Sequence, residues 1–456
     1  MRPTHLLRFF RRSPDAPQLA ADPPRMRRLQ WQVFLAITFG YGFFYVCRLS
    51  LNVIKKPLIE AGLFDPAQLG MIGSALFFAY AAGRLVNGVL VDHAHLKRFM
   101  ALGLLASALI NLALGSLPAF WVFLLLWGAN GWFQSMGAPA SIVSIARWFP
   151  AQGRGTVYGV WSTSHNIGEA FTYVVTGAIV TSFGATWGLR AAGLIGVAAG
   201  LLILLALHER PEVQGLPAPP GPEPVVMLAA DAAPDSVAAL QWQVVRDPRI
   251  WLLALASGFF YVTRYAVNSW GVFFLQEHKG YSALQAASII SANAIAGIAG
   301  TFFSGIVSDR FFGGSRHLPA LLFGLLYIVA TALFVLGPAG AWADTLAMVL
   351  FGVAMGVLLA YLGGMMAIDL VDKRAAGTAT GIVGVASYLG AAIQDLTSGH
   401  LIQAGRTLVD GQVRYDFGLA GALWIGAAVL SCLLALLVWV PWPRAPRAPT
   451  PAAPSA

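Results

Sequence analysis

The segment GFFYVCRLSLN at positions 42–52 returns as GFFYVTRYAVN at 258–268. Seven of eleven positions are identical, and each copy carries an arginine, Arg48 and Arg264. Both copies lie deep inside long apolar runs. A guanidinium keeps its proton there, and burying it is expensive. Two such arginines, at matching places in two halves of one chain, point to a paired anion clamp about an internal two-fold axis.

Only 11% of the 456 residues are charged, against about 25% in a soluble chain. Hydrophobic residues make up 57%, and the mean hydropathy is +0.69. The apolar runs are continuous, as in GLIGVAAGLLILLAL at 193–207, without the alternation of a β-barrel. The fold class expected is therefore an all-α polytopic membrane protein. The formal net charge of +9 reads as topogenic arginine, not as a nucleic-acid footprint. Cys47 and Cys432 both fall in apolar segments and are expected as buried thiols. The first residues lack a long apolar core, so no cleavable secretory signal is expected. Their basic LLRFFRR stretch can rest on anionic headgroups or remain solvated.

Twelve spans are expected, near 30–55, 67–91, 99–117, 119–147, 155–183, 187–207, 249–276, 284–308, 317–337, 343–371, 376–404 and 416–440. The Pro-rich stretch 208–248 reads as a flexible linker between two six-span halves. The organisation is then a basic tail (1–29), a first half (30–207), the linker, a second half (249–440) and a Pro-rich tail (441–456). With the N-terminus in the cytoplasm, twenty of the 29 Lys and Arg residues fall on the cytoplasmic side. Six fall on the other: Lys55, Lys56, Arg190, Lys279, Arg406 and Arg414. Arg48, Arg84 and Arg264 lie within spans. Both termini are expected to be cytoplasmic, in a bacterial inner membrane.

The repeat continues beyond the arginines. GVLVDH at 88–93 matches GIVSDR at 305–310, and RGTVYGVWSTSHNIGEA at 154–170 aligns with AGTATGIVGVASYLGAA at 376–392. The offsets are 216, 217 and 222, in the same order in both halves. Halves with an even number of spans share one orientation, which is the architecture of major facilitator transporters.

The stretches YGFFYVCR, AYAAGRLVNGVLVD, NGWFQSMGAP (130–139), SHNIGEA, DPRIWLLALASGFFYVTRYAVNSWG (247–271) and KRAAGTATGIVGVASYLGAA (373–392) carry a further resemblance. Over about 30–440, the linker excepted, the chain resembles the organophosphate:phosphate antiporter family of the major facilitator superfamily. NSWG after Arg264 and the NGWFQSMGAP stretch look closer to its hexose-phosphate transporter and sensor branch than to its glycerol-phosphate branch. The resemblance implies that Arg48 and Arg264 hold the substrate phosphate. Bidentate, permanently charged guanidinium suits that anion. The alternative is a salt bridge from each arginine to a membrane carboxylate.

Arg84 is a third candidate cation, where family members often have lysine; otherwise it snorkels to the interface. His165 matches the family's cavity histidine and is a candidate substrate contact, the alternative being an ordinary hydrogen-bonding role. Glu169 lies four residues on, where the family usually has a small residue. It can pair with His165 or Arg48, help set sugar specificity, offset the cavity cations before substrate binds, or be a buried, protonated carboxyl with no role. Asp395 can pair with a cavity arginine or bond sugar hydroxyls. Tyr45 and Tyr261 each precede a clamp arginine by three residues and share its face. Tyr41, Tyr80, Tyr265, Tyr361 and Tyr388 lie in spans that border the cavity, with packing the simpler role. Asp92, Asp309 and Arg310 read as gate latches, with His93 standing where the second copy has Arg310.

There is no Walker loop, no metal-ligand spacing and no nucleophile–base pair, so neither an enzyme nor a cofactor is expected. The function expected is exchange of an organophosphate, such as a sugar phosphate or glycerol-3-phosphate, for inorganic phosphate by a monomer in lipid. Two other readings stay open: a membrane sensor of external hexose phosphate that signals to a sensor kinase, and a proton-coupled transporter of another organic anion.

Overall fold

Helix α1 runs from Pro23 to Glu60, far longer than a bilayer requires. Asp22 caps it, accepting a hydrogen bond from the Arg25 amide at 3.0 Å, and prolines fill its first positions. The helix therefore starts before the expected span, and Arg48 lies about 38 Å along it. That lead answers how an arginine so far from the basic tail reaches the middle of the bundle. Its counterpart α10, Pro248–His278, is capped in the same way by Asp247 but reaches Arg264 after nine fewer residues.

The computed structural model describes residues 13, 14, 16, 22–117, 119–150, 152–219, 237–312, 316–372 and 375–438. The LLRFFRR stretch, the interior of the linker, Lys373, Arg374, the Pro-rich tail and the side chain of Asp309 lie outside the described residues. In chain order the helices after α1 are α2 (Pro66–His93), α3 (Leu96–Leu114), α4 (Phe120–Gln134), α5 (Gly137–Trp148), α6 (Arg154–Ser162), α7 (Ser164–Phe183) and α8 (Ala185–Ala206). Then come α9 (Val237–Arg246), α10, α11 (Ala283–Ile306), α12 (His317–Leu336), α13 (Ala341–Ala360), α14 (Met366–Asp369), α15 (Ala376–Ala404) and α16 (Gly418–Leu437).

Among the described residues, ten helices are long and apolar enough to cross a membrane. The fourth and fifth expected spans differ: each is broken in two, at Ser135–Met136 and at Thr163. Hydroxyls explain the breaks. Ser135 Oγ bonds the Trp132 carbonyl, and Ser162 Oγ and Thr163 Oγ1 bond the Gly159 and Val160 carbonyls, competing with the helical ladder. In the second half, π-helical turns at Val307–Phe311 and Tyr361–Met365 interrupt the eighth and tenth spans instead.

Two other elements depart from the sequence reading. Part of the expected flexible linker is ordered, as a 3-10 turn at Pro211–Gln214 and the amphipathic helix α9. A hairpin, β1 (Arg406–Val409) with β2 (Gln412–Tyr415), joins α15 to α16 through the left-handed pair Asp410–Gly411.

The sequence repeat becomes a repeat of helix crossings. Gly168 of α7 lies against the backbone of Gly42 of α1, too close for any Cβ; Gly390 of α15 lies in the same way against Gly258 of α10. These are the glycines that the alignment pairs. Between the halves, contact is concentrated at the end away from the termini. There α1 meets α10, α2 meets α15, and α7 meets α11: Asn52 Nδ2 donates to the Asn268 carbonyl (3.1 Å), Ser74 Oγ to that of Ala392 (2.6 Å), and Gly177 packs on Ala287. Towards the termini the same helices part. Gly88, Gly155, Gly159, Gly305, Gly377 and Gly381 face open space. The bundle is sealed at its far end and open at the end that carries the termini.

Candidate functional site

Arg48 and Arg264 both point into the seam between the halves, 2% and 3% exposed. Arg48 Nε donates to Gln134 Oε1 at 3.2 Å, while its two terminal nitrogens are buried without a hydrogen-bond partner. Its guanidinium lies 4.8 Å from the Tyr45 ring centre and 4.5 Å from that of Tyr80. Arg264 Nε is buried without a hydrogen-bond partner, its side chain makes no hydrogen bond among the described residues, and it lies 5.5 Å from Tyr261 and 5.4 Å from Tyr265. Neither arginine is paired with a carboxylate among the described residues, so the salt-bridge alternative fails for both. Aromatic faces lower the cost of the two buried cations without occupying their donors.

Four tyrosines form a chain of ring contacts. Tyr80 meets Tyr388 at 4.4 Å, Tyr388 meets Tyr261 at 5.4 Å, and Tyr261 meets Tyr265 at 5.6 Å. Tyr41 and Tyr45 form a second pair at 5.7 Å, and the Arg48 guanidinium between Tyr45 and Tyr80 joins the two groups. Tyr361 stands apart and donates to the Ser304 carbonyl. Arg84 is exposed toward the open end. It does not run to the interface; it reaches across the seam to Gly384 and Tyr388 of α15.

His165 packs 5.9 Å from Tyr45, with Nδ1 on the Ser162 carbonyl and Nε2 buried and unpartnered. Glu169 is completely buried, and neither of its oxygens has a hydrogen-bond partner. Both residues, with Tyr45 and Tyr265, lie within the field of both arginines.

Asp395 is where the sequence reading is corrected. Its partner is Lys55, not a cavity arginine: Lys55 Nζ lies 3.5 Å from Asp395 Oδ1, and Ser269 Oγ donates to the same oxygen at 2.7 Å. Lys55, counted with the loop cations, is 1% exposed and stacks 3.7 Å over Trp270. The helix α1 carries it past the arginine by two turns, into the sealed end. Lys279 is buried in the same way on Asp344. Of the expected latches, Asp92 is exposed and makes no ion pair among the described residues, and Arg310 is exposed in its π-turn. At that end Arg316 bonds Asp369 at 3.4 Å and Ser308 at 2.5 Å.

Two repeat-related halves, a matching arginine in each and repeat-related glycine crossings agree with one sequence comparison: the model of the Major Facilitator Superfamily matches residues 33–394. The chain belongs to the Major Facilitator Superfamily. Among relatives of this facilitator, the probable hexose phosphate transport protein of Chlamydia muridarum is 34% identical over 442 residues, covering 91% of this chain and 92% of that one. The membrane sensor protein UhpC of Salmonella typhimurium is 30% identical, covering 85% and 89%. The glycerol-3-phosphate transporter of Haemophilus influenzae is 29% identical, covering 93% and 94%. Such relatives fit the organophosphate:phosphate antiporter branch of the superfamily. Solved structures share the fold. An inward-facing, unoccupied bacterial homologue of the lysosomal transporter Spinster has a TM-score of 0.69 at 16% identity, covering 90% of this facilitator and 97% of that chain. The nucleoside transporter NupG has 0.67 at 16%, covering 90% and 98%.

Proposed function

We propose that this facilitator exchanges an organophosphate for inorganic phosphate by alternating access, in a bacterial inner membrane with both termini cytoplasmic. One observation carries the reading: the terminal nitrogens of Arg48 are buried and unpartnered, and Arg264 opposite makes no hydrogen bond. A phosphate group supplies two negative charges and several acceptors to such donors. His165 and the tyrosines of the ring chain line the same seam, and Arg84 draws anions toward it from the open end.

Exchange follows from the same charges. Sealing two unpaired guanidiniums away from water is costly, so the empty carrier resists the swing between its two open states. A bound phosphate removes that cost whichever way the carrier faces. In proteoliposomes loaded with phosphate, labelled phosphate exchanges into the lumen. Arg48→Lys and Arg264→Lys each lower that exchange at least about a hundredfold, because lysine cannot replace the bidentate fork. Unchanged exchange in both variants refutes the clamp. The resemblance to UhpC favours a second reading, sensing, for which binding without flux is the signature.

A further inference from the structure

The two carboxylates singled out within the spans, Glu169 and Asp395, have opposite fates in the structure. Asp395 is committed to Lys55 and Ser269. Glu169 has no ion pair among the described residues: it is fully buried on α7, within the field of Arg48 and Arg264, with both oxygens unpartnered. The Asn268 side chain lies next to it, and Asn268 Oδ1 is itself buried and unpartnered. The seam thus carries two kinds of unfilled group. Arg48, Arg264 and Gln134 Nε2 offer donors; Glu169 and Asn268 Oδ1 offer acceptors.

A phosphate has acceptors to give and, as a dianion, no donor. It fills the first set and leaves the second unmet. Hydroxyl groups are the complement of the second set, since each donates a hydrogen bond and carries no charge. We propose that Glu169, with Asn268, reads the hydroxyls of the organic part of the substrate, so that this facilitator prefers a phosphorylated polyol or sugar and rejects organophosphates that carry a carboxylate. The inference rests on the phosphate clamp of the preceding section. A substrate carboxylate beside Glu169 brings two like charges together and faces acceptor with acceptor, leaving both unpaired in a dry site. Discrimination by an unmet buried polar group is steep compared with that of an apolar pocket.

The test uses the full chain in proteoliposomes, with phosphate exchange inhibited by glucose 6-phosphate or 3-phosphoglycerate. In the wild type the sugar phosphate inhibits at least about tenfold more strongly. In Glu169→Gln, whose amide gives a donor and only one acceptor, that ratio falls at least about tenfold. Phosphate exchange itself then changes less than the ratio does. Glu169→Asp, which keeps the acceptor, retains the preference. The same ratio, read as ligand-induced thermal stabilisation in detergent, tests the preference without flux. If phosphate does not exchange but the sugar phosphate stabilises the wild type and the variant loses the preference, antiport fails and this assignment stands. An unchanged ratio in Glu169→Gln, or a wild type that favours 3-phosphoglycerate in either assay, overturns it.

Discussion

Lys55 of the first half and Asp395 of the second form an ion pair across the seam, 3.5 Å apart and each 1% exposed, at the sealed end of the bundle. The pair is satisfied on every side that matters. Ser269 bridges it, donating to Asp395 Oδ1 and accepting from Lys55 Nζ at 2.7 Å, and Trp270 lies under the ammonium. The Asp395 side chain also lies hard against Gly73 of α2, where no Cβ fits. Four helices from two halves, α1, α2, α10 and α15, therefore meet at one neutral cluster beyond the clamp.

Breaking one member of that pair strands the other in a dry seam. Lys55→Met or Asp395→Leu alone is expected to destabilise the sealed state by about 3–5 kcal/mol, whereas the double variant recovers most of the loss. Thermal unfolding in detergent reads the difference. The single variants also expose the far end, so a cysteine placed at Asn52 reacts faster with a membrane-impermeant maleimide than in wild type. Additive losses in the double variant count against the pair.

Gln134 holds Arg48 through its Nε and so fixes the direction in which the two terminal nitrogens point. Gln134→Leu leaves that Nε without an acceptor. The half-saturating phosphate concentration for exchange is expected to rise about tenfold, with thermal stability changed far less than the affinity. An unchanged half-saturation removes Gln134 from the site.

How far the sequence could be read depended on whether a residue's partner lay on its own repeat. Arg48, Arg264, Tyr45 and Tyr261 were legible because the repeat marks them twice, and three-residue spacing puts each tyrosine beside its arginine. The glycine crossings were legible for the same reason. Lys55 was not, because its cost is met by Asp395, 340 positions away, and a lysine near the end of a span looks like a topogenic charge. The breaks at Ser135 and Thr163 were also hidden. Back-bonding hydroxyls leave hydropathy unchanged, so a split span and a continuous one read alike. The hairpin at Asp410–Gly411 went unread, because its segment is short and polar and the spans around it dominate the hydropathy pattern.

His95 immediately precedes α3, and its Nε2 lies 3.4 Å from Glu209, which also accepts from the Ser13 amide. Burial holds His95 below its usual 6.5; the Glu209 carboxylate opposes that shift, and Arg98 and Lys97 reinforce it. With the folded value lowered, the unfolded chain binds more protons as pH drops below about 6.5, so stability falls through that window and is unaffected well above it. Unfolding temperatures in detergent between pH 7 and pH 5 are expected to show this slope, and His95→Asn to flatten it. An equal slope in the variant assigns the effect elsewhere.

Glycines separate folding from transport. Gly168 and Gly390 sit against backbone, and an added methyl has no flexible side chain to displace; Gly168→Ala and Gly390→Ala are each expected to cost about 1–3 kcal/mol of stability. Gly159 of α6 and Gly381 of α15 face open space, so Gly159→Leu and Gly381→Leu leave the structure described here intact. Those helices lie along the seam that must seal when access alternates, and a bulky side chain there obstructs only the closed partner state. Wild-type unfolding temperatures with slowed phosphate exchange are expected for the leucine variants, and lowered unfolding temperatures for the alanine ones. Wild-type exchange rates in both leucine variants leave the termini-bearing ends of α6 and α15 out of the closing surface, and with them the rocking motion assigned to the two halves.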